Sequence, residues 1–491
     1  MFLRRMTAII FLLLFFTLAQ AEEPSPLVSM DQFPLHKIGK VAHRRSELIK
    51  SSRWGMQFNK YNLPSLDFML ERMAESGVKW ARVETRSYPV SPEDGYYKWA
   101  GLDSVIYGLR DRKINIFITF DGKALGAWSR SKRPLDRAVI KGWLPFVKKL
   151  VERYHQDVKY WEILNEPKIN ENYVTIVKAA SKAIKAIDPQ AKILAGSLAR
   201  VNVAGLRFML EHGAGPYVNV ITYHPYNEFP ESCKYTFFVP VKTPEGYMQG
   251  GNLVADLRAL VEMENRPIAL WQGECGYPSA ANSASWNGRG PWGEYIQAKW
   301  LLRRFLVDFS MDIPVSIYFL LREPQEGERV NAKGLLRYGT WTPKPAYHAL
   351  QNLTAIFDQR LNHAKKIAAK INVRDAGSFF GVEGAYPESY GAPYSNAKAP
   401  TPIEVFAATG SAGNAIVYWQ PWRMQEFVKP AKIDLAIKSV HIKNPVLVDL
   451  LSGDIYTMQY KNSQDSIKVS GVPLTDYPLL IIEKGLVKIA R

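Results

Sequence analysis

The length, composition and charge of the chain exclude several classes of protein. With 491 residues, the chain is longer than one hydrophobic core usually covers, so we expect two domains. Its net charge of +17 comes from Lys and Arg residues spread along the chain, which argues against a basic arm that binds nucleic acid. The charge either attracts anionic polysaccharides and surfaces or serves solubility alone. The two cysteines form no CxxC or Cys/His cluster, so we predict no metal site and no cofactor.

Residues 1–21 are typical of a secretory signal. Arg4 and Arg5 form a charged start, residues 9–18 are apolar, and Ala19-Gln20-Ala21 offers a small-residue cleavage site. The apolar run is short for a membrane span, although an uncleaved anchor is the alternative, and no later stretch reaches the ~20 apolar residues of a transmembrane helix. We therefore predict an exported protein, periplasmic or secreted, with no transmembrane segment once the signal is removed.

After an N-terminal extension (residues 22–50), apolar segments alternate with amphipathic helical patterns as far as residue 361. The eight predicted strands are residues 52–58, 78–84, 114–120, 160–164, 192–195, 218–223, 267–274 and 315–320. Strands that alternate with helices pair in parallel. Residues 51–361 are therefore predicted to form a (β/α)8 TIM barrel.

Residues 362–491 follow a different pattern. Short β-rich runs, such as residues 415–419 and 479–483, are separated by Gly, Pro, Asn and Ser. Short strands with turn signals between them indicate an antiparallel β-sandwich, so this segment is predicted to be a smaller accessory domain. Residues 384–402 are rich in Gly, Ala, Pro, Ser and Tyr, which favours a long loop.

Two of the predicted strands end at a glutamate. Asn165-Glu166-Pro167 follows the fourth strand, and Glu274 ends the seventh strand between Gly273 and Gly276. The two glutamates are about 108 residues apart, or three units of about 36, which suits three repeats of a barrel of ~250 residues. A solvated glutamate at a strand end is the alternative for each one alone. Two carboxylates on the same barrel rim are the apparatus of glycoside hydrolysis.

These strand ends resemble those of the retaining glycoside hydrolases of clan A. Tyr223-His224-Pro225-Tyr226 is similar to the end of the sixth strand in that clan. The layout is most similar to family 39, which includes β-xylosidases and bacterial exopolysaccharide hydrolases, and less similar to families 5 and 30. The resemblance implies that Glu166 is the acid/base and Glu274 the nucleophile.

The resemblance also implies roles for four other side chains. Arg82 matches the clan's arginine near the nucleophile, with a structural barrel arginine as the alternative. Arg82 and the Tyr226 hydroxyl would keep Glu274 ionised, and the charge of Glu274 would raise the pKa of Glu166. Asn165 is placed to bind the 2-hydroxyl of the sugar, and His224 could hold Glu166 or the substrate.

Several aromatic residues are candidates for stacking on the sugar. Tyr318 or Phe319 would take the place of the tryptophan that many relatives carry under the sugar. Trp54 and Trp286 are predicted to line the site, although aromatic residues pack equally well in a core. Cys233 and Cys275 both follow strand ends of the same rim, so they form either a disulfide or two free buried thiols.

Taken together, these features predict an exported retaining hydrolase that cleaves β-glycosidic bonds of a polysaccharide by double displacement. A bacterial exopolysaccharide or related glycan is the predicted substrate, acidic polymers included. A β-xylosidase-like exo-enzyme and a transglycosylase are the alternatives among enzymes. A carbohydrate-binding protein that has lost catalysis on the same barrel is the alternative from another class.

Overall fold

The structure of the chain is a computed structural model. It describes residues 27–59, 65–85, 97–120, 122, 137–227, 229–234, 241–242, 248–249, 253–284, 290–378, 403–421, 423–463 and 466–490. The predicted signal segment, residues 1–21, lies outside the described residues, as do the predicted loop at 384–402 and Trp286. Within the described residues, no helix combines the length and the apolar character that crossing a membrane requires.

The described strands and helices follow the predicted alternation. The strands are β1 (Leu35–Lys40), β2 (Trp54–Gln57), β3 (Trp80–Glu84), β4 (Asn115–Thr119), β5 (Tyr160–Glu162), β6 (Lys192–Ala199), β7 (Val220–His224), β8 (Val241–Lys242), β9 (Met248–Gln249), β10 (Ala269–Cys275), β11 (Ser316–Tyr318), β12 (Gln325–Glu326), β13 (Arg329–Val330), β14 (His363–Lys366), β15 (Ala369–Asp375), β16 (Glu404–Gly410), β17 (Gly413–Trp419), β18 (Ala431–Lys438), β19 (Pro445–Asp449), β20 (Asp454–Met458), β21 (Tyr460–Ser463), β22 (Ser466–Leu474) and β23 (Leu479–Glu483). The helices are α1 (Leu66–Glu75), α2 (Ala100–Asp111), α3 (Arg137–Tyr154), α4 (Glu171–Ile187), α5 (Val203–Glu211), α6 (Leu253–Glu262), α7 (Glu294–Ser310) and α8 (Pro345–Ile356).

Eight parallel strands close into a barrel in the order β10-β11-β2-β3-β4-β5-β6-β7. Each strand is followed by one of the eight helices, so the predicted (β/α)8 barrel is confirmed. The end of the barrel that holds the strand N-termini is filled by apolar side chains. These are Phe117, Leu194, Val220, Trp271, Val315 and Ile317, with Trp80, Tyr160 and Ala269 packed against them. The barrel interior is therefore packed at this end, which leaves the C-terminal strand ends as the place for a site.

The C-terminal part forms two antiparallel sheets, which confirms the predicted sandwich. The larger sheet has the order β1-β20-β19-β23-β17-β16-β14, and the smaller has the order β15-β18-β22-β21. The edge strand β1 of the larger sheet comes from the N-terminal extension. Leu35 of β1 pairs with Met458 of β20. No sequence pattern indicated this pairing, because the two partners are far apart along the chain. The domain boundaries themselves stay predictions.

Buried charges join the sandwich to the barrel beside the predicted catalytic rim. Glu231, in the segment after β7, pairs with Arg303 of α7 at 2.7 Å and accepts a hydrogen bond of 2.8 Å from the indole of Trp419 in β17. Lys299 of α7 pairs with Asp476 at 2.9 Å. Removing one partner of a buried ion pair leaves an uncompensated charge and costs stability. These contacts therefore hold α7, the segment after β7 and the sandwich together.

Candidate active site

The turn after β5 brings Glu166 to the open rim of the barrel. Leu164 and Glu166 have φ values of 66° and 42°, a left-handed conformation that costs energy for residues other than glycine and recurs at functional sites. The turn is held from β6, where the Ser197 hydroxyl accepts a 3.2 Å hydrogen bond from the Glu166 amide. It is also held from α4, where the Tyr173 hydroxyl donates to the Ile163 carbonyl at 2.9 Å. The backbone thus presents the carboxylate, whose side chain is 36% exposed, to solvent.

Glu274 lies on β10 across the rim and is buried. The Arg82 Nη1 group donates to Glu274 Oε2 at 2.6 Å, and the Tyr226 hydroxyl donates to Glu274 Oε1 at 2.6 Å. The residue before Glu274 is Gly273. A Cβ at that position would lie 3.2 Å from Nε2 of His224. A glycine at this position therefore leaves room for the histidine beside the carboxylate.

The carboxylates of Glu166 and Glu274 lie close to one another across the rim. One oxygen of Glu166, one oxygen of Glu274 and one ring nitrogen of His224 all lie within 4.8 Å of one another. Retaining enzymes hold their carboxyl groups about 5–5.5 Å apart, whereas inverting enzymes leave ~6.5 Å or more for a water molecule. Within the part of the chain that the structure describes, this trio is the one cluster of such groups close enough to hold a metal ion. Because Glu166 is paired with His224, and Glu274 with Arg82 and Tyr226, we assign no metal to this trio.

Arg82 is the centre of the buried hydrogen-bond network beneath the two glutamates. It is fully buried and donates through Nε and Nη2 to Glu162 Oε2 at 2.9 and 2.8 Å. Its Nη1 also contacts Glu84 Oε1 and Gln57 Oε1, both at 2.7 Å. Its Nη2 reaches Asn165 Oδ1 at 2.7 Å. The arginine therefore orients Asn165 and Glu274 as well as filling the barrel.

Sequence reasoning missed two members of this network. Gln57 and Glu84 end the first and second barrel strands, and Glu84 is two residues after Arg82 on the same strand. Successive alternate residues of a strand share a face, so the spacing of Arg82 and Glu84 was a usable signal. No feature of the sequence distinguishes Gln57 from an ordinary residue at a strand end. Asn165 was predicted to reach the sugar. In the structure its amide oxygen accepts the hydrogen bond from Arg82, so the NH₂ group of Asn165 faces away from the arginine.

His224 is the partner of Glu166. Its Nδ1 lies 2.9 Å from Glu166 Oε1, and the ring is buried. Burial lowers the pKa of His224, but the hydrogen bond with Glu166 and the negative charges of Glu274 and Glu166 outweigh burial and raise it overall. Burial raises the pKa of Glu166, yet the hydrogen bond and charge of His224, with the charges of Arg82 and Arg200, lower it overall.

The direction for Glu166 corrects the sequence-based expectation. We expected the charge of Glu274 to raise the pKa of Glu166, whereas the imidazole of His224 is closer and has the larger effect. The pairing with His224 therefore favours the ionised form of Glu166 and the protonated form of His224. Burial, and then the charges of Glu166 and Glu84, raise the pKa of Glu274 against the opposing charges of Arg82 and His224.

Two predicted substrate contacts are wrong. Trp54 is fully buried, its indole donates to the Phe357 carbonyl at 2.7 Å, and its ring stacks on Phe305 with centroids 5.0 Å apart. Tyr318 is also buried, and its hydroxyl donates to the Lys333 carbonyl at 3.0 Å. Both side chains point into the core because their strand positions face the helices.

Phe319, the other alternative for the aromatic residue under the sugar, is half-buried at the end of β11. Its carbonyl oxygen lies 2.0 Å from where a Cβ on Gly276 would be, so it lies beside the segment that follows Glu274. The predicted contact of Trp286 falls outside the described residues.

The structure holds Cys233 and Cys275 as free buried thiols, so the disulfide alternative does not hold. Each sulfur has a different partner. Cys275 Sγ donates to the Pro225 carbonyl at 3.1 Å, whereas Cys233 Sγ accepts from Asn227 Nδ2 at 3.1 Å. The two thiols therefore contact different polar groups and not each other.

Comparison with known proteins finds the same fold among glycoside hydrolases. No protein-family model matches the chain, and no curated protein matches its sequence. A solved family 39 glycoside hydrolase from the gut symbiont Bacteroides cellulosilyticus WH2 is similar, with a TM-score of 0.64 and 15% identity over 90% of this chain and 83% of that one. The chain has the fold of the family 39 glycoside hydrolases.

Two further structures have the same architecture. A family 39 β-xylosidase from Caulobacter crescentus matches with a TM-score of 0.51 and 15% identity, over 91% of this chain and 98% of that chain. A family 30 subfamily 8 xylanase from Clostridium acetobutylicum matches with a TM-score of 0.52 and 12% identity, over 90% and 97%. The resemblance expected from the strand-end motifs is confirmed at the level of the fold.

Proposed function

We propose that the chain is an exported retaining glycoside hydrolase that cleaves β-glycosidic bonds of a polysaccharide by double displacement. The observation that carries the proposal is the trio of Glu166, His224 and Glu274, with groups within 4.8 Å of one another. Only one of the two carboxylates is held by an arginine and a tyrosine, while the other is held by a histidine. The two carboxylates therefore have different environments, as an acid/base and a nucleophile require.

In the first step, Glu274 Oε attacks the anomeric carbon as the bond to the leaving oxygen breaks. The leaving oxygen takes a proton from Glu166, and His224 Nδ1 supplies this proton to Glu166 Oε1 across their 2.9 Å hydrogen bond. A covalent glycosyl ester on Glu274 and a free hydroxyl on the departing sugar result. The Asn165 amide donates to the 2-hydroxyl of the sugar, a contact that strengthens in the transition state.

In the second step, Glu166 acts as the base that takes a proton from water, and the water oxygen attacks the anomeric carbon. The ester bond breaks and the electron pair returns to Glu274. While Glu274 is an ester it carries no charge, so it no longer raises the pKa of Glu166. Arg82 and Tyr226 stabilise the carboxylate as it leaves, because their hydrogen bonds are stronger to the charged form.

A bacterial exopolysaccharide or related glycan is the substrate that we propose. The net charge of +17 supports a glycan that carries acidic groups, because opposite charge raises the rate of encounter. A β-xylosidase-like exo-activity is the second candidate, favoured by the fold shared with the Caulobacter crescentus β-xylosidase. Transglycosylation would use the same covalent intermediate, with a sugar instead of water as the acceptor. A non-catalytic carbohydrate-binding protein is the alternative from another class, and it would need the two glutamates for a purpose other than catalysis.

We propose export on the strength of residues 1–21, with a charged start, an apolar run and a small-residue cleavage site. The protein would then act in the periplasm or outside the cell, where polysaccharides are exposed. N-terminal sequencing of the protein recovered from periplasm and medium checks this proposal. A mature terminus at residue 22 is the expected result, and an intact Met1 in the membrane fraction would support the uncleaved anchor.

The decisive experiment is release of reducing sugar from a panel of bacterial and plant polysaccharides. Glu166→Gln and Glu274→Gln are measured beside the wild type, and Glu71→Gln serves as the matched control because its ion pair with Arg45 lies on the surface. Release that disappears in both site variants and persists in the control supports the proposal and names the substrate class. Activity that survives Glu274→Gln overturns the nucleophile assignment. Intact binding without release overturns hydrolysis.

The stereochemistry of the first product gives an independent check. Proton NMR early in the reaction records the anomer before mutarotation. The β-anomer is expected from two displacements, and an α-anomer would overturn the retaining mechanism that the carboxylate separation supports.

A further inference from the structure

Glu84 is a buried carboxylate for which the two-step reaction has no use. It ends β3, two residues after Arg82, and is buried. Its Oε1 accepts from Arg82 Nη1 at 2.7 Å and from Gln57 Nε2 at 3.1 Å. The same Nη1 atom donates to Glu274 Oε2 at 2.6 Å. One nitrogen of the arginine therefore serves the nucleophile and a second carboxylate at once.

The rest of the arginine is already committed elsewhere. Its Nε and Nη2 groups donate to Glu162 Oε2, and that carboxylate also accepts from Thr119 at 2.6 Å and Thr222 at 2.7 Å. Arg82 thus carries a single positive charge and contacts three carboxylates. Because a guanidinium nitrogen of the Nη1 type has two N–H groups, the carboxylates of Glu84 and Glu274 and the amide oxygen of Gln57 share two donors.

We propose that Glu84 is a positioning residue that tunes the nucleophile: by sharing Arg82 Nη1 with Glu274, its negative charge keeps Glu274 from being over-stabilised. An arginine devoted to Glu274 alone would hold the carboxylate strongly in its ionised form and weaken its attack on carbon. The negative charge of Glu84 offsets part of the effect of Arg82, so Glu274 attacks carbon more readily. This inference rests on the proposed function, in which Glu274 is the nucleophile.

The other charged or titratable groups near Glu274, among the described residues, do not provide this competition. They come from several strand ends and loops and are Arg82, Glu166, His224, Tyr226, Cys275 and Lys333. Glu166 is held by His224, while Arg82 and Tyr226 donate to Glu274 itself. Glu84 is therefore the carboxylate that shares the nucleophile's own donor.

The test is the pH dependence of kcat/KM for Glu84→Gln. Glutamine keeps an oxygen that can accept from Arg82 and removes only the charge. The acidic limb, which reports ionisation of Glu274 in the free enzyme, is expected to move to lower pH by about half a unit or more, because a nearby negative charge raises a carboxyl pKa. Glu71→Gln, the same change on a surface pair, is expected to leave the limb in place. An acidic limb that stays at the wild-type pH or moves upward overturns the proposal.

A second variant keeps the test usable if Glu84→Gln does not fold. Glu84→Asp retains the charge but withdraws it by one methylene, so a downward shift smaller than half a unit is expected. A limb that stays in place or moves upward in a folded Glu84→Asp protein overturns the proposal. A purely structural role would lower the melting temperature without moving the limb.

A measurement without substrate separates this proposal from the proposed function. Carbon-13 NMR of labelled glutamate side chains follows the titration of Glu274, whose signal is identified by its loss in Glu274→Gln. The Glu274 midpoint is expected to be lower in Glu84→Gln than in the wild type, and equal midpoints overturn the role of Glu84. Failure to hydrolyse any glycan would overturn the proposed function and leave this comparison valid.

Discussion

His224 Nδ1 and Glu166 Oε1 lie 2.9 Å apart at the rim of the barrel, one buried and the other partly exposed. The hydrogen bond with Glu166 and the nearby negative charges raise the pKa of His224 despite its burial, and the same hydrogen bond lowers the pKa of Glu166 despite its burial. In the mechanism that we propose, the pair stores the proton that the leaving oxygen needs. Glu166 would deliver this proton, and His224 would set the pH at which the pair loses it.

His224→Gln is expected to move the basic limb of the kcat/KM profile to lower pH. The raised pKa of His224 keeps a proton in the pair above the histidine's ordinary range, and glutamine cannot hold that proton. Activity at the optimum should fall by about 100-fold, at the lower end of what general acid–base catalysis contributes. His348→Gln, at an exposed histidine of α8, is the control. An unchanged basic limb would show that Glu166 holds its proton without the histidine.

Tyr226→Phe is expected to move the acidic limb in the opposite direction from Glu84→Gln. The lost hydroxyl donates to Glu274 Oε1 at 2.6 Å, and hydrogen bonds to a carboxylate lower its pKa. Removing the donor raises the pKa of Glu274, so the acidic limb shifts to higher pH. The same pH profile measures this, with Tyr217→Phe, at a partly buried tyrosine before β7, as the control. A shift to lower pH would contradict the assigned donor.

Glu166→Ala should separate the two steps through the choice of leaving group. Loss of the acid is expected to slow hydrolysis of a polysaccharide by about 10²- to 10⁴-fold, while aryl glycosides with acidic phenols need little protonation and should still form the ester. A pre-steady-state burst of the phenol, restored to turnover by added azide, is the measurement. Glu171→Ala, at an exposed position on the same segment, is the control. Equal losses on both substrates would argue against an acid/base role.

Trp54→Ala should lower stability and leave substrate affinity unchanged. The ring is fully buried, so its removal is expected to cost about 3–5 kcal/mol of unfolding free energy, measured by denaturant titration. The contrasting variant is Phe319→Ala, whose ring is half-buried at the end of β11; it should raise KM with a smaller loss of stability. A higher KM for folded Trp54→Ala would restore the stacking role that its burial contradicts.

Much of the architecture could be predicted from the sequence. Alternating strand and helix patterns determined the barrel, and short strands with turn signals determined the sandwich. Glu166 and Glu274 could be paired without coordinates because the C-terminal ends of parallel barrel strands meet at one rim. Their spacing along the chain matched three repeats, so the local pattern alone was sufficient.

Only the tertiary structure decided the rest, because it depends on distances between residues far apart in the chain. Trp54, Tyr318 and Phe319 are all aromatic residues near strand ends, and the twist of the barrel determines which of them faces the core. The position of the proton depends on the burial of His224 beside Glu166, and the competition for Arg82 depends on Glu84 and Glu274 converging on one nitrogen. A sequence specifies which groups are available, while burial and separation, which govern the strength of charge interactions, exist only in the folded chain.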